Sequence, residues 1–220
     1  MKSFLKRFIK QTFPTLHLHY LTYCSLIKNR KSFLYSTGWM QSLKENRIVD
    51  NQGGYLPWMN FSIITFLDDR LMKDLNLFEF GSGYSTLFYA SRVKSVTSIE
   101  HMEQWFDYLE PLIPSNVNLI FQTKDFNDKY CRMINQNKQQ YDVIIIDGRD
   151  RVNCFKQSIN NLSLRGVIVL DDSQREKYQD IFKISKKNGF KYLSIDGLKA
   201  AKPDYYRTTI FYRSENCLNI

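Results

Sequence analysis

From residue 75 onward the hydrophobic pattern of the chain switches between two periods. Short runs rich in β-branched and aromatic residues predict strands over 75–80, 95–99, 117–122, 142–146, 166–170, 191–195 and 207–213. The segments between them carry a helical period and predict helices over 85–92, 102–112, 127–137, 152–161 and 174–187. Runs such as YDVIIID and GVIVLDD are apolar on consecutive residues, as parallel strands are when helices cover both faces of the sheet. The alternation therefore predicts an α/β fold with a doubly wound, mainly parallel seven-stranded sheet and an antiparallel edge strand. That edge comes from the last two strands, which DGLKAAKPDYY joins without a crossover helix, so they pair as a hairpin. Ser173 and Glu176 form an S-x-x-E pattern that predicts a capping box at the start of the fifth helix.

Charge separates the first 60 residues from the rest. Nine lysines and arginines face two acids through Asn60, giving +7, whereas 22 face 20 afterwards, giving +2. Residues 1–60 are accordingly read as a basic, mainly helical arm, and 61–220 as the α/β domain. Phe4, Leu5, Phe8 and Ile9 recur at helical spacing among Lys2, Lys6, Arg7 and Lys10, which suits a short interfacial helix meeting anionic lipid at the inner face of a membrane. RNA, a polyanionic substrate and the protein's own core are the other partners for such a segment, and a solvated basic face is the commonest. No apolar run approaches the ~18 residues of a membrane span, and Gln11, Pro14, His17 and His19 interrupt any leader-like stretch. With 43% hydrophobic residues and four dispersed cysteines, the chain reads as a globular, cytoplasmic protein with reduced thiols.

The stretch LFEFGSGYSTLFYA, 77–90, holds the most specific chemistry. A dinucleotide fingerprint needs a third glycine for close helix packing and a pyrophosphate at the helix N-terminus. Here Thr86 occupies the third position, and Glu79 at the end of the first strand repels a pyrophosphate while favouring a cation. A nicotinamide-dependent oxidoreductase is disfavoured on both counts. The acid followed by Gly81 and Gly83 resembles motif I of class I S-adenosylmethionine-dependent methyltransferases, whose cofactor carries an ammonium and a sulfonium but no phosphate. GGYLPWMNFSIITFL, SIEHMEQW, YDVIIIDGRDRVNC, GVIVLDDS and TIFYRSENCLNI extend the resemblance from about Gly53 to the C-terminus, toward a bacterial methyltransferase-like family. It implies S-adenosyl-L-methionine as cofactor. Glu79 would serve the methionine amino group, Gly81 and Gly83 would allow close backbone approach, Glu100 would accept from the ribose hydroxyls, and Asp125 would contact the adenine amino group. Ser85 and Thr86 are read as helix caps, and PWMNF as a lid or entrance beside the cofactor.

In an open α/β sheet the ligand crevice lies beyond the carboxyl ends of the strands. Asp147, Arg149, Asp150 and Arg151 follow the fourth strand there, and Asp171 and Asp172 the fifth. Methyl transfer from a sulfonium is a direct displacement governed by alignment, and an alcohol acceptor must also lose its proton. Asp147 is the first candidate for that base or for orienting the acceptor, and His101 the second, weighed evenly against a strand-end histidine bonded to backbone. Arg149 and Arg151 can grip a phosphate or carboxylate on the acceptor, or salt-bridge the neighbouring acids. Asp147, Asp171 and Asp172 also resemble the metal-binding acids of catechol-type O-methyltransferases, which makes a divalent cation an option, with Asp172 standing where that group has asparagine. An Asn-Pro-Pro-Tyr-like segment after the fourth strand is absent, favouring oxygen over base-amine acceptors. The expected activity is O-methylation of a small-molecule or saccharide acceptor; the alternatives are an RNA methyltransferase and a noncatalytic cofactor-binding scaffold.

Overall fold

A computed structural model describes residues 10–123, 128–136 and 138–220. The chain divides into two compact units, 1–54 and 55–220. In the first, helices α1 (Pro14–Thr22), α2 (Phe33–Ser36) and α3 (Trp39–Glu45) are described, with a π-helical turn (Tyr23–Lys28) after α1. α1 buries none of its residues, and Leu16, Leu18, Tyr20 and Leu21 along it are exposed. The apolar positions read at the start of the arm, Phe4 to Ile9, lie outside the described residues. No helix among the described residues is long and apolar enough to cross a membrane.

The second unit begins with α4 (Phe61–Asp68). Its N-cap, Asn60, accepts from the Ile63 amide at 3.0 Å and donates to the Ile195 carbonyl and the Thr208 hydroxyl. One buried side chain thus caps a helix and ties it to two strands. The elements that follow are β1 (Asn76–Phe80), α5 (Tyr84–Ala90), β2 (Ser95–Glu100), α6 (Glu103–Leu109), β3 (Val117–Phe121), α7 (Lys129–Arg132), β4 (Tyr141–Ile146), α8 (Arg151–Ile159), β5 (Leu162–Leu170), α9 (Gln179–Lys187), β6 (Lys191–Leu198) and β7 (Tyr205–Tyr212). The seven strands form one sheet in the order β3-β2-β1-β4-β5-β7-β6. The first five are parallel, and the β6–β7 hairpin closes one edge, with β7 antiparallel to both of its neighbours.

Alternate residues of the central strands feed two cores. Phe78, Phe80, Ile144, Ile146, Ile168 and Leu170 pack with Tyr130, Phe155 and Ile181. The intervening Leu77, Val143, Ile145 and Val169 are equally buried, as strands covered on both faces require. Chain order reverses between β1 and β4, so the crevice opens where these two strands end.

One local expectation fails. Ser173 does not cap α9: its hydroxyl pairs with the Thr209 hydroxyl at 2.7 Å and with the Arg207 carbonyl, while a 3-10 turn (Glu176–Tyr178) leads into the helix. A serine 1% exposed takes its partners from β7, and the local S-x-x-E pattern loses to that tertiary demand.

Candidate active site

Gly81, Asp147 and Asp171 follow directly on the last ladder positions of β1, β4 and β5, and Glu100 holds that of β2. Gly81 donates its amide to the Ile99 carbonyl, Asp147 to Phe80, Asp171 to Ile146, and Gln122 to Glu100. The β1 turn, the ends of β2 and β4, and the loop after β5 therefore lie side by side.

Glu79 is fully buried at the end of β1. Ser85 donates to its Oε1 and Thr86 to its Oε2, each at 2.5 Å, and Ser98 donates to Oε2 at 2.7 Å. Burial pushes the carboxyl up to about 7, against the pull of the three hydroxyls, and the nearby Glu100 charge adds to the rise. The Thr86 hydroxyl also accepts from the Gly83 amide, so it caps α5 and serves Glu79 together. Ser85 caps nothing, because its hydroxyl is spent on the carboxylate.

The two glycines of the turn differ in kind. Gly81 has φ +94°, and a Cβ there would lie 2.7 Å from Gly148 Cα, so conformation and packing both demand glycine. Gly83 is extended, with φ 177°. A Cβ on it would meet nothing closer than 3.7 Å, an ordinary contact, so neither demand applies. Trp105, whose Nε1 would lie 3.8 Å from that Cβ, donates from its indole to the Ser82 carbonyl and stacks on Tyr108, and Tyr84 stacks on Tyr55.

Glu100, 3% exposed at the end of β2, accepts from the His101 and Met102 amides on Oε1 and from the Ser82 amide on Oε2 at 3.2 Å. A carboxylate oxygen has two acceptor positions, so Oε2 retains one. His101 Nδ1 lies 2.9 Å from Glu100 Oε1 but out of hydrogen-bonding alignment, which leaves this buried nitrogen unpartnered. The backbone-bonded alternative for the His101 ring therefore lacks its Nδ1 bond. Asp125 lies outside the described residues.

Across the crevice, Asp147 keeps 23% of its side chain open, yet it sits deep enough that desolvation, reinforced by Asp171, holds its carboxyl well above the ordinary range against Arg151 and Lys199. Arg151 takes the salt-bridging option. Its guanidinium donates to Asp147 Oδ1 at 2.9 Å, to the Asp147 and Gly148 carbonyls, and to the Asp171 carbonyl. The planar fork thereby locks the β4 and β5 loops together. Arg149 is exposed and lines a cavity of about 290 Å³ with Arg151, Arg175 and Tyr178.

The three acids read as an optional cation site are already occupied by side chains. Lys199 donates to Asp171 Oδ2 and Asp172 Oδ1, Thr208 to Asp171 Oδ1, and Arg175 to Asp172 Oδ2. Burial raises Asp172, but Lys199 and the two arginines bring it below its usual value. The residues present do not fit a divalent cation. Among the described residues, the grouping with ligand spacing is instead Asp128, Cys131 and Asp150, whose thiol burial pushes up to about 11. Lys199, Ser98 and Thr208 went unseen in the sequence because each reaches its partner from a distant strand or loop, with no local spacing to mark it.

No family model matches this chain, and no curated protein sequence matches it. Solved structures match it in fold. Precorrin-6y C5,15-methyltransferase from Geobacter metallireducens aligns with a TM-score of 0.53 and 16% identity, covering 69% of this chain and 87% of that one. A methyltransferase from Pyrococcus furiosus gives 0.52 at 19% identity, over 80% and 94%. A tRNA (m1A58) methyltransferase from Aquifex aeolicus gives 0.51 at 14% identity, over 69% and 67%. The architecture is the Rossmann-like fold of class I methyltransferases.

Proposed function

We propose that this chain is an S-adenosylmethionine-dependent methyltransferase that methylates an oxygen on a small-molecule or saccharide acceptor. One observation carries the reading: a glycine required by neither backbone nor packing, Gly83, lies in a turn flanked by two buried carboxylates, Glu79 and Glu100. A glycine turn beside negative charge suits a ligand with an ammonium and a sulfonium, and disfavours a pyrophosphate. Thr86, at the third fingerprint position, is fully buried and bonded to Glu79, which further separates the turn from a dinucleotide site.

On this reading Gly81 shapes the turn and Gly83 admits the backbone-facing part of the cofactor. Glu79 attracts the amino group, the remaining acceptor position on Glu100 takes a ribose hydroxyl, and Asp125 serves the adenine. The bound cofactor supplies an electrophilic methyl. Asp147, the partly open acid across the crevice, accepts the proton of the acceptor hydroxyl, with Arg151 holding its carboxylate in place. His101, whose Nδ1 lies 2.9 Å from Glu100 Oε1, is the second candidate for that base, and Arg149 meets anionic groups on the acceptor.

Calorimetric titration with S-adenosylhomocysteine and, separately, NAD tests the reading. Micromolar S-adenosylhomocysteine affinity that Glu100→Ala weakens at least tenfold is expected; NAD binding without it would overturn the assignment. An RNA acceptor predicts instead that a tRNA transcript binds with a steep salt dependence that flattens when the arm's lysines and arginines are neutralised. Ligand binding with no transfer to a broad acceptor panel would favour a noncatalytic scaffold. The exposed apolar residues of α1 favour contact between the arm and an anionic lipid surface. Binding to phosphatidylglycerol vesicles checks this, and equal binding to neutral vesicles would count against a role for the basic charge.

A further inference from the structure

The carboxyl ends of β4 and β5 gather Asp147, Asp171 and Asp172, yet the structure supplies its own cations to them. Lys199 is 5% exposed, and its ammonium lies 2.6 Å from Asp171 Oδ2 and 2.6 Å from Asp172 Oδ1. Its remaining direction faces the Tyr206 ring, whose centroid is 4.6 Å away. Asp171 Oδ1 is taken by Thr208 and Asp172 Oδ2 by Arg175, with Arg151 at 3.8 Å, while Asp147 Oδ1 is taken by Arg151. Three carboxylates thus face three cationic side chains. Magnesium requires about six oxygen ligands at roughly 2.1 Å. To bind here it would have to displace the ammonium that now holds Asp171 and Asp172.

Lys199 is not placed there by chance of rotamer. An isolated bridge between Asn60 and Lys199 fixes its backbone, and the Trp58 indole donates to the carbonyl of the fully buried Ala200. The backbone is held from the side of α4, so the side chain has one direction in which to run. Its role is to hold the two acids after β5 in place beside Asp147, as a positioning residue that reaches no acceptor itself.

We propose that Lys199 is a built-in replacement for a divalent cation, so that the loops after β4 and β5 are organised without metal. The inference concerns the side chains that hold Asp171 and Asp172 and stands apart from the methyltransferase reading.

Titration of the full chain with MnCl2, followed by electron paramagnetic resonance of the free ion and by thermal midpoint, tests it. Wild-type protein is expected to show no manganese binding that Asp171→Asn removes, and EDTA leaves its midpoint unchanged. Lys199→Ala is expected to gain one manganese site, with a midpoint that rises on adding the ion, and Asp171→Asn in that background weakens the site at least tenfold. Asp150→Asn separates this site from the Asp128 grouping, because it leaves the gained site intact. A lysine serving only to fill space would leave metal affinity unmoved. Wild-type manganese binding lost in Asp171→Asn, or a folded Lys199→Ala chain that binds none, would overturn the proposal. Should Lys199→Ala fail to fold, the wild-type titration with its Asp171→Asn and EDTA arms still decides. S-adenosylhomocysteine calorimetry on the same preparations reports on the methyltransferase reading independently, since the manganese result requires no cofactor.

Discussion

Glu79→Gln separates two effects of one buried carboxylate, its cost to the fold and its value to a cationic ligand. The side chain is fully buried and its folded-state pKa is raised from 4.5 to about 7. The folded protein therefore binds this proton more tightly than the unfolded chain between those two values, and stability must fall as pH rises through the interval. At pH 5 the carboxyl is protonated in the folded state and the penalty is only about 1 kcal/mol; by pH 8 it reaches about 3 kcal/mol, since each pKa unit corresponds to ~1.4 kcal/mol. Glutamine removes the ionisation while keeping a group that can bond to Ser85, Thr86 and Ser98, whose hydroxyls rotate to donate or accept. Urea unfolding at pH 5, 6, 7 and 8 is the assay. The difference between variant and wild type isolates Glu79 from other titrating groups such as Asp147. The variant should gain on the wild type by roughly 2 kcal/mol between pH 5 and pH 8, by the same linkage. Its S-adenosylhomocysteine affinity should meanwhile drop about tenfold, the loss of roughly 1.4 kcal/mol of attraction between the buried charge and the ligand's ammonium. Stability curves running parallel across that range would refute the claim that a buried, ionising Glu79 strains the fold.

Other substitutions probe the remaining parts of the site. Gly83→Ala should change stability by less than about 0.5 kcal/mol, because a Cβ there meets only ordinary contacts, yet abolish measurable S-adenosylhomocysteine binding; Gly81→Ala, at φ +94° against the Gly148 backbone, should destabilise the fold by more than about 2 kcal/mol in urea titration. Wild-type affinity for S-adenosylhomocysteine should tighten roughly tenfold from pH 6 to pH 8 as Glu79 ionises from about 7 and offers charge to the ligand's ammonium; calorimetry showing no change would remove Glu79 from the amino-group role. Arg151→Ala leaves the Asp147 carboxylate and three loop carbonyls without their donor and should cost about 3–5 kcal/mol by denaturant unfolding. With an acceptor in hand, Asp147→Asn should lower the transfer rate by at least a hundredfold while S-adenosylhomocysteine affinity stays within a factor of two or three of wild type.

The fold was legible because its signals are local. Consecutive apolar residues in β4 and β5 reported a sheet covered on both faces, and a linker too short for a crossover helix announced the β6–β7 hairpin. Boundaries shifted where pairing, not propensity, decides. β5 begins at Leu162 because Leu162 pairs with Tyr141 across a register shift, and β6 runs to Leu198 because Tyr205 faces it. Within the site, Glu79, Glu100 and the glycine turn were readable from their spacing and strand ends. The hydroxyl shell around Glu79 was only half visible: Ser85 and Thr86 are neighbours in sequence, but Ser98 arrives from β2. Lys199 was silent, since its partners lie 27 and 28 residues away and nothing in GLKAAK marks a buried ammonium. The Ser173 cap failed for the same reason, as its competing partners sit on β7.

The central claim, that the Gly83 turn between two buried acids receives S-adenosylmethionine, is tested most directly by calorimetric titration of wild type and Gly83→Ala with S-adenosylhomocysteine. The account predicts micromolar binding at one site per chain for the wild type and none for a variant that melts at the wild-type temperature. Absence of binding in folded wild-type protein, or equal binding by both, would contradict it.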